Sequence, residues 1–201
     1  PICWGVISVD KLLEANPSVT MLRQCAKISL EIDNRIQSNF TNAGLYVYNM
    51  ATNAAIAPAN YNTEQKTDDL AESTALRTED NPLGGGTATT VAVNETSADK
   101  AMVIIKAKYK KSEEEDYREG YYKVALYKDA NKTTQYALLR NHHYTIKVTK
   151  VNDYGFSTLD EAKKSLPENR LEVEVRDDNP EITRMIACKD YELGVSDYQE
   201  V

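Results

Sequence analysis

The chain has 201 residues and a formal net charge of −7. That charge is spread along the sequence, so no basic patch is left for nucleic-acid phosphates or for an anionic membrane surface. No apolar run is long enough to cross a bilayer, and the length suffices to bury a core without metals or disulfides.

Thirteen tyrosines stand against two phenylalanines. Tyrosine pairs across strands and keeps its hydroxyl in water, so this balance suits sheets with wet faces or contact surfaces. The cysteines are Cys3, Cys25 and Cys188. Their number is odd and their spacing fits no metal site, which reads as buried or incidental thiols, with a disulfide left open.

The first clear element lies within Val19 to Ile32. Ala26, Ile28, Leu30 and Ile32 alternate there with Lys27, Ser29 and Glu31, the period of a half-buried strand. A second strand spans Gly44 to Asn49, with Leu45 and Val47 opposed to Tyr46 and Tyr48. Residues 60–86 are polar and end in Asn81-Pro82-Leu83-Gly84-Gly85-Gly86, which predicts a linker or long loop. Within it, Asp68 to Leu76 has the composition of a brief helical turn.

Strands then recur at short intervals. Met102 to Tyr109 directs Val103, Ile105, Ala107 and Tyr109 inward, with Lys106 and Lys108 outward. Lys110 to Glu119 is a charged tip, read as a solvated hairpin loop. Gly120 to Tyr127 follows, with Tyr122, Val124 and Leu126 inward. From His142 onward, Tyr144, Ile146 and Val148 share its face, and His143, Thr145, Lys147 and Thr149 take the other. Asn152-Asp153 and Gly155 supply turn chemistry, with Gly155 a position where φ > 0 would exclude a side chain. Thr158 and Glu161 have capping-box spacing, and Leu159, Ala162 and Leu166 make an apolar stripe that Pro167 ends. Leu171, Val173 and Val175 alternate with Glu172, Glu174 and Arg176. Ile182 to Ala187 and Tyr191 to Val195 close the chain. Short strands separated by turns predict an all-β sandwich with one short helix.

The residues that could carry chemistry read as structural. His142 and His143 are adjacent on a strand, so they point to opposite faces and cannot share one metal. Glu113 to Asp116 lacks the glycine of a calcium loop, and Asp177-Asp178-Asn179 before Pro180 reads as a turn. There is no nucleophile elbow, and Gly84-Gly85-Gly86 lacks the lysine of a phosphate loop. No catalytic, cofactor-binding or metal-binding residue is therefore predicted, and the chain is not read as an enzyme.

Five segments resemble one family. The run LLRNHHYTIKVTKVNDYG, the ST-x-x-EA after it and DYELGVS at Asp190 to Ser196 resemble the C-terminal domain of the fimbrillins, the type V pilins of Bacteroidetes surface fimbriae. LRQCAKISLEI at Leu22 to Ile32 and LYVYNMATNAAIAP at Leu45 to Pro58 resemble a strand, and the strand and loop after it, of the family's N-terminal domain. The resemblance implies transthyretin-like sandwich domains. It divides this chain into an incomplete N-terminal domain over 1–80, a linker over 81–87 and a C-terminal domain with an inserted helix over 88–201. It also implies a cell-surface fimbrial subunit used in adhesion, exported through the outer membrane as a lipoprotein precursor whose signal is absent from this chain. Its partners would be other pilin subunits, with host or bacterial surface ligands besides, and no cofactor, nucleic acid or membrane span.

In this family assembly resembles donor-strand exchange, in which a neighbour's extended segment fills a groove left by a missing strand. Ile186, Leu193, Val195, Tyr198 and Val201 are the expected contact or donor residues, and Gly155, Thr158 and Glu161 the expected structural corner. Self-closure is expected for Leu171 to Val195, with the residues after Ser196 as donor material. Two other readings stand beside the pilin: a tip or anchor subunit, and a glycan-binding sandwich using Trp4, Tyr117, Tyr121 and Tyr127.

Overall fold

The computed structural model describes residues 3–5, 9–20, 22–56, 82–98, 100–129, 131–167, 170–178 and 184–186. The first part of the chain forms β1 (Cys3–Trp4), α1 (Val9–Leu12), β2 (Ser18–Thr20), β3 (Leu22–Arg23), β4 (Ala26–Ile32) and β5 (Phe40–Tyr48). The middle forms β6 (Leu83–Gly84), β7 (Thr90–Val93), β8 (Met102–Tyr109) and β9 (Arg118–Val124). The last part forms β10 (His143–Val151), α2 (Leu159–Lys164), β11 (Leu171–Asp177) and β12 (Arg184–Ile186).

Two four-stranded sheets face each other, one in the order β11-β10-β4-β7 and one in the order β6-β5-β8-β9. Pairing is antiparallel within both, except that β10 runs parallel to β4 with Ile146 beside Leu30. Two small ladders flank them, β1 with β3 and β2 with β12. The architecture is an all-β sandwich.

The alternation in the sequence explains the core. Ala26, Ile28 and Leu30 of β4 and Tyr144, Ile146 and Val148 of β10 point between the sheets. Leu45 and Val47 of β5, Val103, Ile105 and Ala107 of β8, and Tyr122 and Val124 of β9 meet them from the other side. Each such aliphatic side chain contributes about 1.5–3 kcal/mol by leaving water. The boundary expected at 81–87 does not separate two cores among the described residues. Strands from before and after it interleave in both sheets and share this one cluster.

The three glycines expected in a linker form instead a turn that joins the sheets. Gly85 N–H donates to Leu45 C=O at 2.9 Å, Leu45 N–H to Ala88 C=O at 2.8 Å, and Leu30 N–H to Thr89 C=O at 2.7 Å. Gly84 has φ +85°, and a Cβ there would lie 2.2 Å from the Leu45 carbonyl oxygen. Only glycine fits such an approach. This crossover closes one lateral side of the sandwich.

The helix covers the outer face of the second sheet. Thr158 accepts from Glu161 N–H, and the Glu161 carboxylate accepts from Thr158 N–H, so both halves of a capping box form. Ala162 packs on Tyr48, Met102 and Ile104, with Leu159 and Phe156 beside them. Leu166 departs from the expected apolar stripe and is 80% exposed. The helix stops at Lys164 because Ser165 turns to an extended backbone, ψ 156°. Leu166 therefore leaves the helical face that would have buried it.

Candidate functional site

Opposite the closed side lies an open one. Among the described residues β11 has a strand neighbour only in β10, and β9 only in β8 apart from the single bridge of Tyr121 to Phe156. A cleft of about 410 Å³ runs between these two edges. Val124 and Ala125 line it from β9 and the residue after it, and Leu171, Val173 and Val175 from β11. The β11 valines alternate toward the core, but at the edge they are only partly buried.

The edge also offers backbone. Asp178 N–H donates to His143 C=O at 2.7 Å. With the β10–β11 register, this puts Arg176 and Glu174 among the residues bonded to β10 and turns the amide and carbonyl of Val175 toward the open side. An edge of this kind is a template for another strand.

Two rigid walls flank the cleft. On one, the Lys123 ammonium donates to the Lys163 and Ser165 carbonyls, both at 2.8 Å, and so fastens the end of α2 beside Pro167. On the other, residues 127–129 and 131–136 fold back on the end of β9. Tyr127 bridges Gln135, and Lys128 N–H donates to Thr134 C=O at 2.8 Å. The Asp129 carboxylate holds that arm by accepting from Thr133 N–H and Oγ1 and from Thr134 N–H. The Thr133 amide first of all keeps this carboxyl below its usual pKa. Lys123, Lys128 and Lys132 line the cleft against Asp129 and Glu174. The lining is thus net basic in a chain whose net charge is −7.

The corner before the helix rests on a contact between two glycines. Gly155 is absent from the residues with positive φ. Its expected reason, an αL backbone, is replaced by crowding: a Cβ on Gly155 would lie 2.7 Å from Tyr121 N and 2.8 Å from Gly120 C. Tyr121 and Phe156 exchange two backbone hydrogen bonds there, each 2.9 Å. Arg170 lies over the Phe156 ring at 3.9 Å and donates to Tyr154 C=O at 2.7 Å.

The two histidines fall on opposite faces of β10 or its approach. His142 is buried against Tyr144 and bonds Asp177 at 2.7 Å. His143 Nε2 lies 2.9 Å from Ser29 Oγ on the outer face. Burial first, then Lys27, pushes the His143 pKa down. A serine beside a neutral imidazole has the outline of a nucleophile and its base. Here the pair sits on a flat strand face, and Asp178 is engaged with Thr145 Oγ1 at 2.6 Å. Asp177 and Asp178 thus each hold a β10-side partner.

Sequence reading missed a buried ion pair, Arg140 with Glu95 at 2.7 Å, each side chain 1% exposed. Arg140 also donates to the carbonyls of Ile56 at 2.9 Å and Ala55 at 3.1 Å. Both residues lie in non-periodic segments 45 positions apart, so no local pattern marks them. Charged residues are almost never so buried unless paired.

The expected contact residues are mostly not placed. Ile186 lies on β12, opposite Ser18 of β2. Leu193, Val195, Tyr198 and Val201 lie outside the described residues, as do Cys188 and the 68–76 turn. Cys3 and Cys25 are free thiols. The four aromatic candidates for glycan binding are not brought together. Trp4 is on β1, Tyr117 is at the hairpin tip under Lys110, Tyr121 packs with the helix cluster, and Tyr127 lines the cleft. Among the described residues no group of three His, Cys, Asp or Glu could hold a metal ion, and no helix is long and apolar enough to cross a membrane.

No protein-family model and no curated protein sequence matches the chain. Among solved structures it is similar to a candidate cell adhesion protein from Parabacteroides distasonis, at 13% identity and a TM-score of 0.38, over 78% of this chain and 52% of the other. It is also similar to a candidate cell adhesion protein from Bacteroides eggerthii, at 12% identity and a TM-score of 0.44, over 79% of this chain and 56% of the other. The chain therefore spans about half the length of each of these neighbours.

Proposed function

We propose that the chain is a structural subunit of a bacterial surface fimbria serving adhesion, and that the cleft between β9 and β11 receives an extended strand from a neighbouring subunit. The observation that carries this reading is the open edge itself. An apolar floor lies beside strand backbone that has no partner among the described residues, and both lose free energy in water that a partner strand recovers.

The chain carries a segment of matching chemistry. Beyond β12, Leu193, Val195, Tyr198 and Val201 are spaced among Asp190, Glu192, Asp197 and Glu200. The acids complement the lysines of the cleft. Seating three or four apolar side chains would gain roughly 5–12 kcal/mol gross, and each ladder bond about 0.5–1.5 kcal/mol more. Association costs on the order of 4–15 kcal/mol, so a stable polymer needs both contributions.

The test is a charge swap in the purified chain. Lys128→Glu with Lys132→Glu should abolish an SDS-resistant ladder and filaments in negative-stain micrographs, and Glu192→Lys with Asp197→Lys in the same chain should restore them. A ladder that survives the lysine reversal and the Leu193→Asp, Val195→Asp pair alike would refute the reading.

A further inference from the structure

Leu166 is a large apolar side chain held in water by a rigid turn. Exposure alone means little, because isolated surface leucines are ordinary. The way this one is held is less so. Ser165 N–H donates to Glu161 C=O at 3.0 Å, and Ser165 Oγ donates to Ala162 C=O at 2.9 Å. Lys123 fixes the carbonyls of Lys163 and Ser165 from the sheet below. Pro167, next in the chain, restricts the backbone on the other side and is itself part of the cleft wall. The turn is therefore ordered before any partner arrives, and a contact with it forfeits little conformational entropy.

We propose that Leu166 is the anchor on the lip of the β9–β11 cleft, covered by a second copy of this chain when that copy's apolar-acidic terminal segment enters. This rests on the reading above. It adds that the rigid lip, as well as the floor, selects the incoming chain, and that Lys123 is a positioning residue for it. Charge favours this occupant: the cleft lining carries Lys123, Lys128 and Lys132 against Asp129 and Glu174, and the fifteen residues from 187 to 201 that follow β12 carry four acids against Lys189.

The experiment compares the self-assembly of four chains by light scattering against concentration, with a thermal melt of each monomer. Leu166→Asp should raise the concentration for half-assembly by at least about tenfold, the equivalent of uncovering one leucine. Its melting temperature should stay that of the unmodified chain, since no described residue covers Leu166, which is 80% exposed. Leu166→Met should assemble within about threefold of the unmodified chain. Lys123→Met, which keeps the stem and removes the two carbonyl bonds, should fall between them. If Leu166→Asp assembles normally while the Lys128/Lys132 reversal fails, the lip proposal is wrong and the cleft reading stands. If Leu166→Asp lowers the melting temperature, the side chain is structural and the lip proposal is again wrong. An unmodified chain that does not assemble overturns both.

Discussion

Replacing Gly155 by alanine adds one methyl group where the structure has no room for it. The new Cβ would sit 2.7 Å from Tyr121 N, 2.8 Å from Gly120 C and 2.8 Å from Tyr122 Cε2, whereas ordinary contact begins at 3.4 Å. Two of the three neighbours are backbone, so no flexible side chain can swing aside. The corner must retreat by more than half an ångström, and the retreat stretches the paired Tyr121–Phe156 hydrogen bonds. Overpacking of this kind costs about 1–3 kcal/mol, and each weakened bond about 0.5–1.5 kcal/mol. Because Gly155 has no positive φ, alanine regains about 0.4–1 kcal/mol by restricting the unfolded chain. The expected net loss is about 1–5.6 kcal/mol, read as a shift of the urea midpoint at constant slope. Gly120→Ala meets the same obstacle from the other strand, with its Cβ 2.8 Å from Gly155 Cα. One separation relieves both clashes, so the double variant should lose less than the sum, by about 1 kcal/mol or more. Strict additivity, or a loss under about 0.5 kcal/mol for Gly155→Ala, would refute the close-approach account.

Thr158→Ala removes the acceptor for Glu161 N–H and should cost about 0.5–2 kcal/mol, measured by the same denaturation. Arg140→Met leaves the Glu95 carboxylate buried without its cation and should cost about 3–5 kcal/mol. Adding Glu95→Leu should recover part of this but not all, because the buried backbone N–H at position 140 then loses the Glu95 carboxylate that accepts it at 3.3 Å. His143 titrates below its ordinary value of 6.5 in the folded chain, so the unfolded chain takes up the proton first. Its stabilising contribution is therefore present above about pH 6.5 and lost as pH falls through the lowered folded value. A melting temperature measured from pH 7 to pH 5 should drop, and His143→Gln should flatten that drop. The lowered carboxyls of Asp129, Asp153, Glu161 and Glu172 stabilise the folded chain above their ordinary values of 3.8 and 4.5 and lose that contribution only in more acidic solution.

The strands were legible because their signal is local. Alternation in Ala26–Ile32, Met102–Tyr109 and His142–Val148 names the inward face residue by residue, and those side chains fill the core. The helix start was legible for the same reason, since both halves of its cap lie within four residues. The helix end was not. Lys123 binds the Lys163 and Ser165 carbonyls from a strand 40 and 42 positions away, and no local pattern shows it. The glycine run was read by composition as a linker, while its backbone bonds to Leu30 and Leu45 are tertiary. The cleft lay beyond reach because it is defined by which strands lack a neighbour. That depends on sheet order, and period-2 alternation carries no information on order.

The parallel pairing of β4 with β10 bears on when the molecule can fold. β4 lies between β7 and β10, and its partner His143 in β10 is 116 positions from Lys27. Until β10 has left the ribosome, Ile28 and Leu30 keep one strand edge bare and face only part of their core. Closing so long a loop comes before any pairing rewards it, and contacts this distant in sequence make folding slow. The β4 edge therefore waits longer for its partner than the strands of a local hairpin do.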